Sequence, residues 1–94
     1  MSYVFEWDDD KSASNIAKHG ISFTEATTVF YDTLAIEIDD PAHSTDEIRT
    51  IMMGMSSNGK LLVVVYTERR NKYRIISARR ATNHERKYYE EAEF

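Results

Sequence analysis

The 94-residue sequence predicts a single α+β domain: an antiparallel sheet meander with two helices ahead of it and one behind it. Three observations lead there. Four apolar runs between Leu34 and Arg80 are joined by short turns, as in hairpin-connected strands. The stretches after Asp8, Ser22 and Thr82 open with side chains that cap helices. Finally, 41% hydrophobic and 12% aromatic residues mark a folding chain, while the length allows one modest core and excludes a multidomain enzyme, so residues 1–94 are read as one domain.

Tyr3 to Trp7 has the aromatic and β-branched content of a short strand. Asp8 then caps a helix over Asp9 to His19, with acidic residues in its first turn, Lys18 and His19 in its last, and Gly20 as its stop. Ala13, Ile16 and Ala17 form a narrow apolar stripe that predicts how this helix lies on the sheet. Ser22 and Glu25 have capping-box spacing, and Ile21 with Ala26 a hydrophobic staple, so a second helix runs to Tyr31-Asp32 and pairs with the first on one side of the sheet.

The strands follow as Leu34 to Ile38, Ile48 to Met55, Lys60 to Arg69 and Tyr73 to Arg79. A polar loop, Asp39 to Glu47, separates the first two; Ser57-Asn58-Gly59 and Arg70-Asn71-Lys72 turn the others. The run LLVVVYT is apolar at successive positions and is expected to be central. In the last strand each alternating set contains both isoleucine and arginine, so its buried face is undecided. Thr82 and Glu85 then open a helix from Asn83 to about Ala92.

The chain has no cysteine, which excludes disulfides, thiolate catalysis and Cys-based zinc sites. It contains no HxxxH, HExxH or EF-hand spacing and no Gly-rich phosphate loop, so neither metal nor cofactor is expected. The first eleven residues lack a basic segment followed by an apolar one, and no apolar run is long enough to span a bilayer. A cytoplasmic protein without membrane attachment is the expectation.

Net charge is −4, but it is divided along the chain: residues 1–59 carry 3 basic and 11 acidic side chains, and residues 60–87 carry 9 basic and 2 acidic. Such a reversal reads as a polyanion-binding face or, with equal weight, as a solvated strand edge and helix surface. RNA supplies its own nucleophile, the 2′-hydroxyl, so a protein that cuts it need supply only a base, cations for the phosphorane and an acid. Arg74, Arg79 and Arg80, with Arg86 nearby, are candidate phosphate ligands, since a guanidinium binds two phosphate oxygens at once. Arg69, Arg70 and Lys72 extend the basic track. For proton transfer the candidates are His19, His43, His84, Glu47 and the tyrosines Tyr66, Tyr73, Tyr88 and Tyr89, which are also available for base stacking or for the core.

Several separated motifs stand in one order: F-x-W-D-x-x-K from Phe5, N-x-x-K-H-G-I-x-F-x-E-A from Asn15, V-F-x-D from Val29, H-S-x-x-E-x-R from His43, and R-I-I-S-A-R-R-A with E-R-x-x-Y between Arg74 and Tyr89. Together they resemble the BrnT toxins over essentially the whole chain. The resemblance implies a RelE-like fold and a ribonuclease toxin of a type II toxin-antitoxin system that inhibits translation. It also implies a BrnA-like ribbon-helix-helix antitoxin, in a 2:2 complex that binds operator DNA through the antitoxin. It raises Lys18 and His19, within K-H-G, as site residues beside Glu47, Arg74, Arg79, Arg80 and His84, with Arg69, Arg70, Lys72, Arg86 and Tyr89 on the RNA path. The alternative is an inactive homologue or binding module whose basic face docks an antitoxin.

Overall fold

The elements of the computed structural model are β1 (Phe5–Glu6), α1 (Asp9–His19), α2 (Phe23–Thr28) extended by a 3-10 turn Val29–Tyr31, β2 (Ile36–Asp39), β3 (Arg49–Met55), β4 (Leu61–Arg69), β5 (Lys72–Arg80) and α3 (Asn83–Glu91). Residues 3–40 and 47–92 are described, so His43 and most of the predicted polar loop lie outside the described residues. Among the described residues, no helix is long and apolar enough to cross a membrane.

The sheet order is β1-β5-β4-β3-β2. Strands β2 to β5 form the expected antiparallel meander. The sheet as a whole is mixed, because β1 pairs parallel to β5, Phe5 with Tyr73 and Glu6 with Arg74. Turn chemistry announces hairpins between neighbours; it carries no signal for a pairing between the two ends of a chain.

Strand β4 is apolar on both sides because both sides are covered. Leu62, Val64 and Tyr66 pack with Met52, Ile75 and Ala78 under Ile21, Phe23, Ala26, Val29 and Phe30. Leu61 and Val63 pack with Met53 under Tyr89 of α3. The undecided face of β5 is resolved by a bulge: Val65 pairs with Ser77 but Tyr66 pairs with Ile75. The extra residue shifts the alternation, so Ile75 and Ala78 both face α2, a displacement that strict period-two reading cannot anticipate.

The predicted stripe on α1 does not pack. Ala13, Ile16 and Ala17 are exposed, and the buried residue of this helix is Asn15. Its side-chain amide donates to the carbonyls of Ile21 (2.9 Å) and Ala78 (2.8 Å), while its oxygen accepts from the Ala78 N–H (3.2 Å). Asn15 thereby takes over where β1 ends, pairing the outer edge of β5 as another strand would. Apolar periodicity misses this contact because one amide makes it.

Asp8 caps α1 and Ser22 caps α2 as expected. The Ser22–Glu25 box is only half closed, since the Glu25 carboxylate accepts from Ser56 Oγ (2.8 Å) and pairs with Lys60 (3.8 Å). The Asp32 carboxylate ties three segments together by accepting from Leu34 N–H (2.9 Å), Met55 N–H (2.8 Å) and Tyr89 O–H (2.6 Å). Burial pushes its pKa up, and these hydrogen bonds outweigh that and hold it below the usual carboxylate range. Gly54 lies beneath the 3-10 turn, where an added Cβ would sit 2.8 Å from Val29 Cγ1 and 3.0 Å from Ala35 Cβ. Gly54→Ala is therefore expected to cost about 1–3 kcal/mol in urea denaturation, and an unchanged midpoint would contradict this close approach.

Candidate functional site

One face of the sheet is covered by α2, while α3 spans only part of the other. On that second face, β3, β4 and β5 place Arg49, Thr67 and Arg74 in one cross-strand row, with Glu6 of β1 opposite Arg74. Arg69 follows Thr67 on the same side of β4. The next row toward α3 is Ile51, Val65 and Ser77, each partly exposed.

Glu47 enters this row from the segment just before β3. The Thr67 hydroxyl, on a residue 2% exposed, donates to the Ile48 carbonyl at 2.8 Å and so pins that segment to the central strand. The Glu47 carboxylate accepts from Arg69 Nε. That hydrogen bond, with further attraction from Arg69, Arg74 and Arg49, outweighs desolvation and holds its pKa below the ordinary carboxylate range. Arg74 is also 3.5 Å from Glu6. Arg69 thus pairs with an ionised carboxylate, and Arg74 and Arg49 add to the positive field around it on a partly exposed sheet face, an arrangement that sets guanidinium donors for a phosphate near a proton acceptor.

At the α3 end the same face is different. Arg79 is held in a two-pronged pair with Glu85, Nη1–Oε1 and Nη2–Oε2 both 2.8 Å. Glu85 also closes the capping box with Thr82, and with the Arg79 bond as the main cause its pKa falls to about 2. Beside this pair is a cavity of about 220 Å³ whose walls include Ile36, Ile51, Met53, Val63, His84 and Tyr88. It is mainly apolar, with one neutralised ion pair at its rim.

The family model for the ribonuclease toxin, BrnT, of type II toxin-antitoxin systems matches residues 7–85, spanning α1, the main sheet and the start of α3. The chain belongs to the BrnT family. The fold is that of the crystal structure of the Brucella abortus ribonuclease toxin BrnT, with a TM-score of 0.67 and 21% identity, covering 87% of this chain and 100% of that one. No curated protein matches the chain. As a BrnT-family member, the chain has an antitoxin partner implied by the system to which its family belongs.

The fold places the predicted site residues at different parts of the surface. The fold brings Glu47, Arg69 and Arg74 together and adds Arg49, which sequence reasoning missed although it closes the H-S-x-x-E-x-R motif. Arg70 lines a polar cleft of about 610 Å³ with Glu47 and Thr67, and Lys72 is in register with Arg69 at the exposed end of the hairpin. Arg79 and His84 lie at the α3 end. Arg80 is in register with Leu62 and so faces the α2 side, opposite Arg79, and the expected convergence of four arginines does not include it.

Lys18 and His19 are exposed at the C-terminal end of α1. That helix starts beside Glu6 and meets Ala78 at Asn15, so it runs along β5 toward the Arg80 end and carries both residues away from Glu47. Arg86 is exposed and pairs with Glu90 one turn on (3.9 Å). Tyr89, expected on the RNA path, lies in the core: it is 5% exposed, and its hydroxyl donates to Asp32. Tyr66 is buried likewise, and Tyr73 packs against the same core, whereas Tyr88 is 57% exposed and retains a ring face for stacking.

Proposed function

We propose that this BrnT-family toxin is a metal-independent endoribonuclease whose catalytic cluster is Glu47 with Arg49, Arg69 and Arg74. The observation that supports this reading is the ionised Glu47 carboxylate, bonded to Arg69 and lying in the positive field of Arg74 and Arg49 on a partly exposed sheet face. Glu47 takes the proton from the 2′-hydroxyl as that hydroxyl's oxygen bonds to phosphorus; the bond from phosphorus to the 5′-oxygen breaks, and that oxygen takes up a proton from water. The products are a 2′,3′-cyclic phosphate and a 5′-hydroxyl. Arginines stay charged throughout and are matched to the equatorial oxygens of the phosphorane, where charge accumulates.

RNA crosses the partly exposed row of Ile51, Val65 and Ser77, with Arg70 and Lys72 on its backbone at one end and Tyr88 available to a base at the other. Cleavage inhibits translation in the cytoplasm, and a BrnA-like antitoxin, in a 2:2 complex that binds operator DNA, silences the toxin by covering this face. Arg79 serves chiefly to hold α3 through Glu85. Lys18, His19 and Arg80, at another part of the surface, bind RNA or antitoxin without touching the scissile phosphate.

The test is cleavage of a labelled RNA by purified protein in EDTA. Glu47→Gln keeps the shape and hydrogen-bonding reach but removes the base, and a loss of about 100-fold or more is expected with an unchanged circular dichroism spectrum. If folded wild-type protein leaves RNA intact, or if Glu47→Gln cuts as fast as wild type, the cluster is not a nuclease site and the chain is a binding module.

A further inference from the structure

On the α2 side of the sheet, beyond the nuclease cluster, a cleft of about 450 Å³ opens between the start of the chain, the 3-10 turn and β2. Its walls include Tyr3, Phe30, Tyr31 and Tyr73, and its carboxylates are Glu37 and Asp32. The rings stand edge-on to one another: Tyr3 is 5.2 Å from Tyr31 at 84° and 5.5 Å from both Phe30 and Tyr73. They are not all core, since Tyr31 is 59% and Tyr3 38% exposed.

The two carboxylates differ in use. Asp32 is spent on the fold, accepting from Leu34, Met55 and Tyr89. Exposed Glu37 accepts from the Tyr66 hydroxyl at 2.9 Å, and among the described residues no lysine or arginine pairs with it. Aromatic rings around an unneutralised carboxylate favour a cation with a flat, weakly hydrated head, which can lie on a ring and donate to the carboxylate at once. Arginine fits that description better than lysine. The cleft also belongs to the acidic half of the sequence, residues 1–59, with 11 acidic and 3 basic side chains, so the surrounding field draws a basic partner segment.

We propose that this cleft is a docking pocket for an arginine side chain of a partner polypeptide, laid on the exposed ring of Tyr31, which Tyr3 braces edge-on, and paired with Glu37. It lies on the opposite side of the sheet from Glu47, so a partner anchored here leaves the RNA face open unless another part of it reaches around. The nuclease reading is not needed for this site.

The probe is N-acetyl-arginine amide, titrated into the full chain while the tyrosine ring resonances are followed by NMR, with the citrulline analogue as its uncharged counterpart. Saturable shifts confined to Tyr3, Tyr31 and Tyr73 are expected with the arginine probe and none with citrulline. Glu37→Gln, which preserves an acceptor for Tyr66, should weaken binding about fivefold, the size of one exposed ion pair, and Tyr31→Ala should weaken it while leaving the fold unchanged. Equal response to citrulline, absence of any shift, or binding unaffected by either substitution would overturn the proposal.

Discussion

Asn15→Ala is expected to lower the unfolding free energy by about 3–4 kcal/mol, more than any single apolar truncation on α1. The wild-type side chain makes three hydrogen bonds while only 7% exposed, and alanine leaves the Ala78 N–H and C=O and the Ile21 C=O without those partners. Each buried polar group so orphaned costs about 1–3 kcal/mol, part of which water entering from the sheet edge recovers. Asn15→Asp sharpens the test. Aspartate can still accept from Ala78 N–H, but it loses both donors and sets a negative charge against two carbonyl oxygens. Its stability should therefore be lowest near neutral pH and recover as pH falls and the carboxyl protonates, the reverse of a salt-bridged carboxylate. Urea denaturation followed by the fluorescence of Trp7, which packs against Phe23, measures both. A loss below about 1 kcal/mol for Asn15→Ala would mean that α1 is held by something other than this amide.

What the sequence announces is decided by which interactions are local. The caps at Asp8, Ser22 and Thr82, the left-handed Gly20, the hairpin turns and the central place of LLVVVYT depend on a few neighbouring residues, and all were readable. The parallel docking of β1, the bulge opposite Val65 and Tyr66 and the Asn15 contact depend on residues far apart in sequence, and none has a local signature. The site divides in the same way. Charge clustering pointed to the arginines of β5, but alternation and the bulge decide which of them share a face. Arg74 joins Arg49, Arg69 and Glu47; Arg79 is engaged by Glu85; Arg80 faces the other side. Tyr89 carried the same aromatic signal as Tyr88, one position away on α3, and a helix turns adjacent residues in different directions.

Arg74→Ala is expected to slow RNA cleavage by about 100- to 1,000-fold, the usual consequence of removing one donor aimed at transition-state charge. Arg74 is partly shielded, is in register with Thr67 at the middle of the row, and acts on the Glu47 carboxylate across the site. Alanine removes the proposed phosphate ligand and one of the charges that lower the Glu47 pKa, while Glu47 stays ionised at neutral pH. It leaves the fold intact, because the pair Arg74 makes with Glu6 is a long one at 3.5 Å between groups that both contact solvent, and such pairs contribute about 0–1 kcal/mol. The loss should fall on kcat, whereas Arg70→Ala and Lys72→Ala, at the proposed contacts to the RNA backbone, should raise KM and flatten the salt dependence of binding.

Catalysis is assigned to the sheet face carrying Glu47 and not to the basic strand as a whole, and the rates of RNA cleavage by Arg74→Ala and Arg80→Ala, measured side by side, decide between the two. Both substitutions remove one arginine from β5 and change net charge equally, so a difference between them reports position alone. At least a 100-fold loss is expected for Arg74→Ala and a change within about threefold for Arg80→Ala. Equal losses, or a larger loss at Arg80, would contradict it.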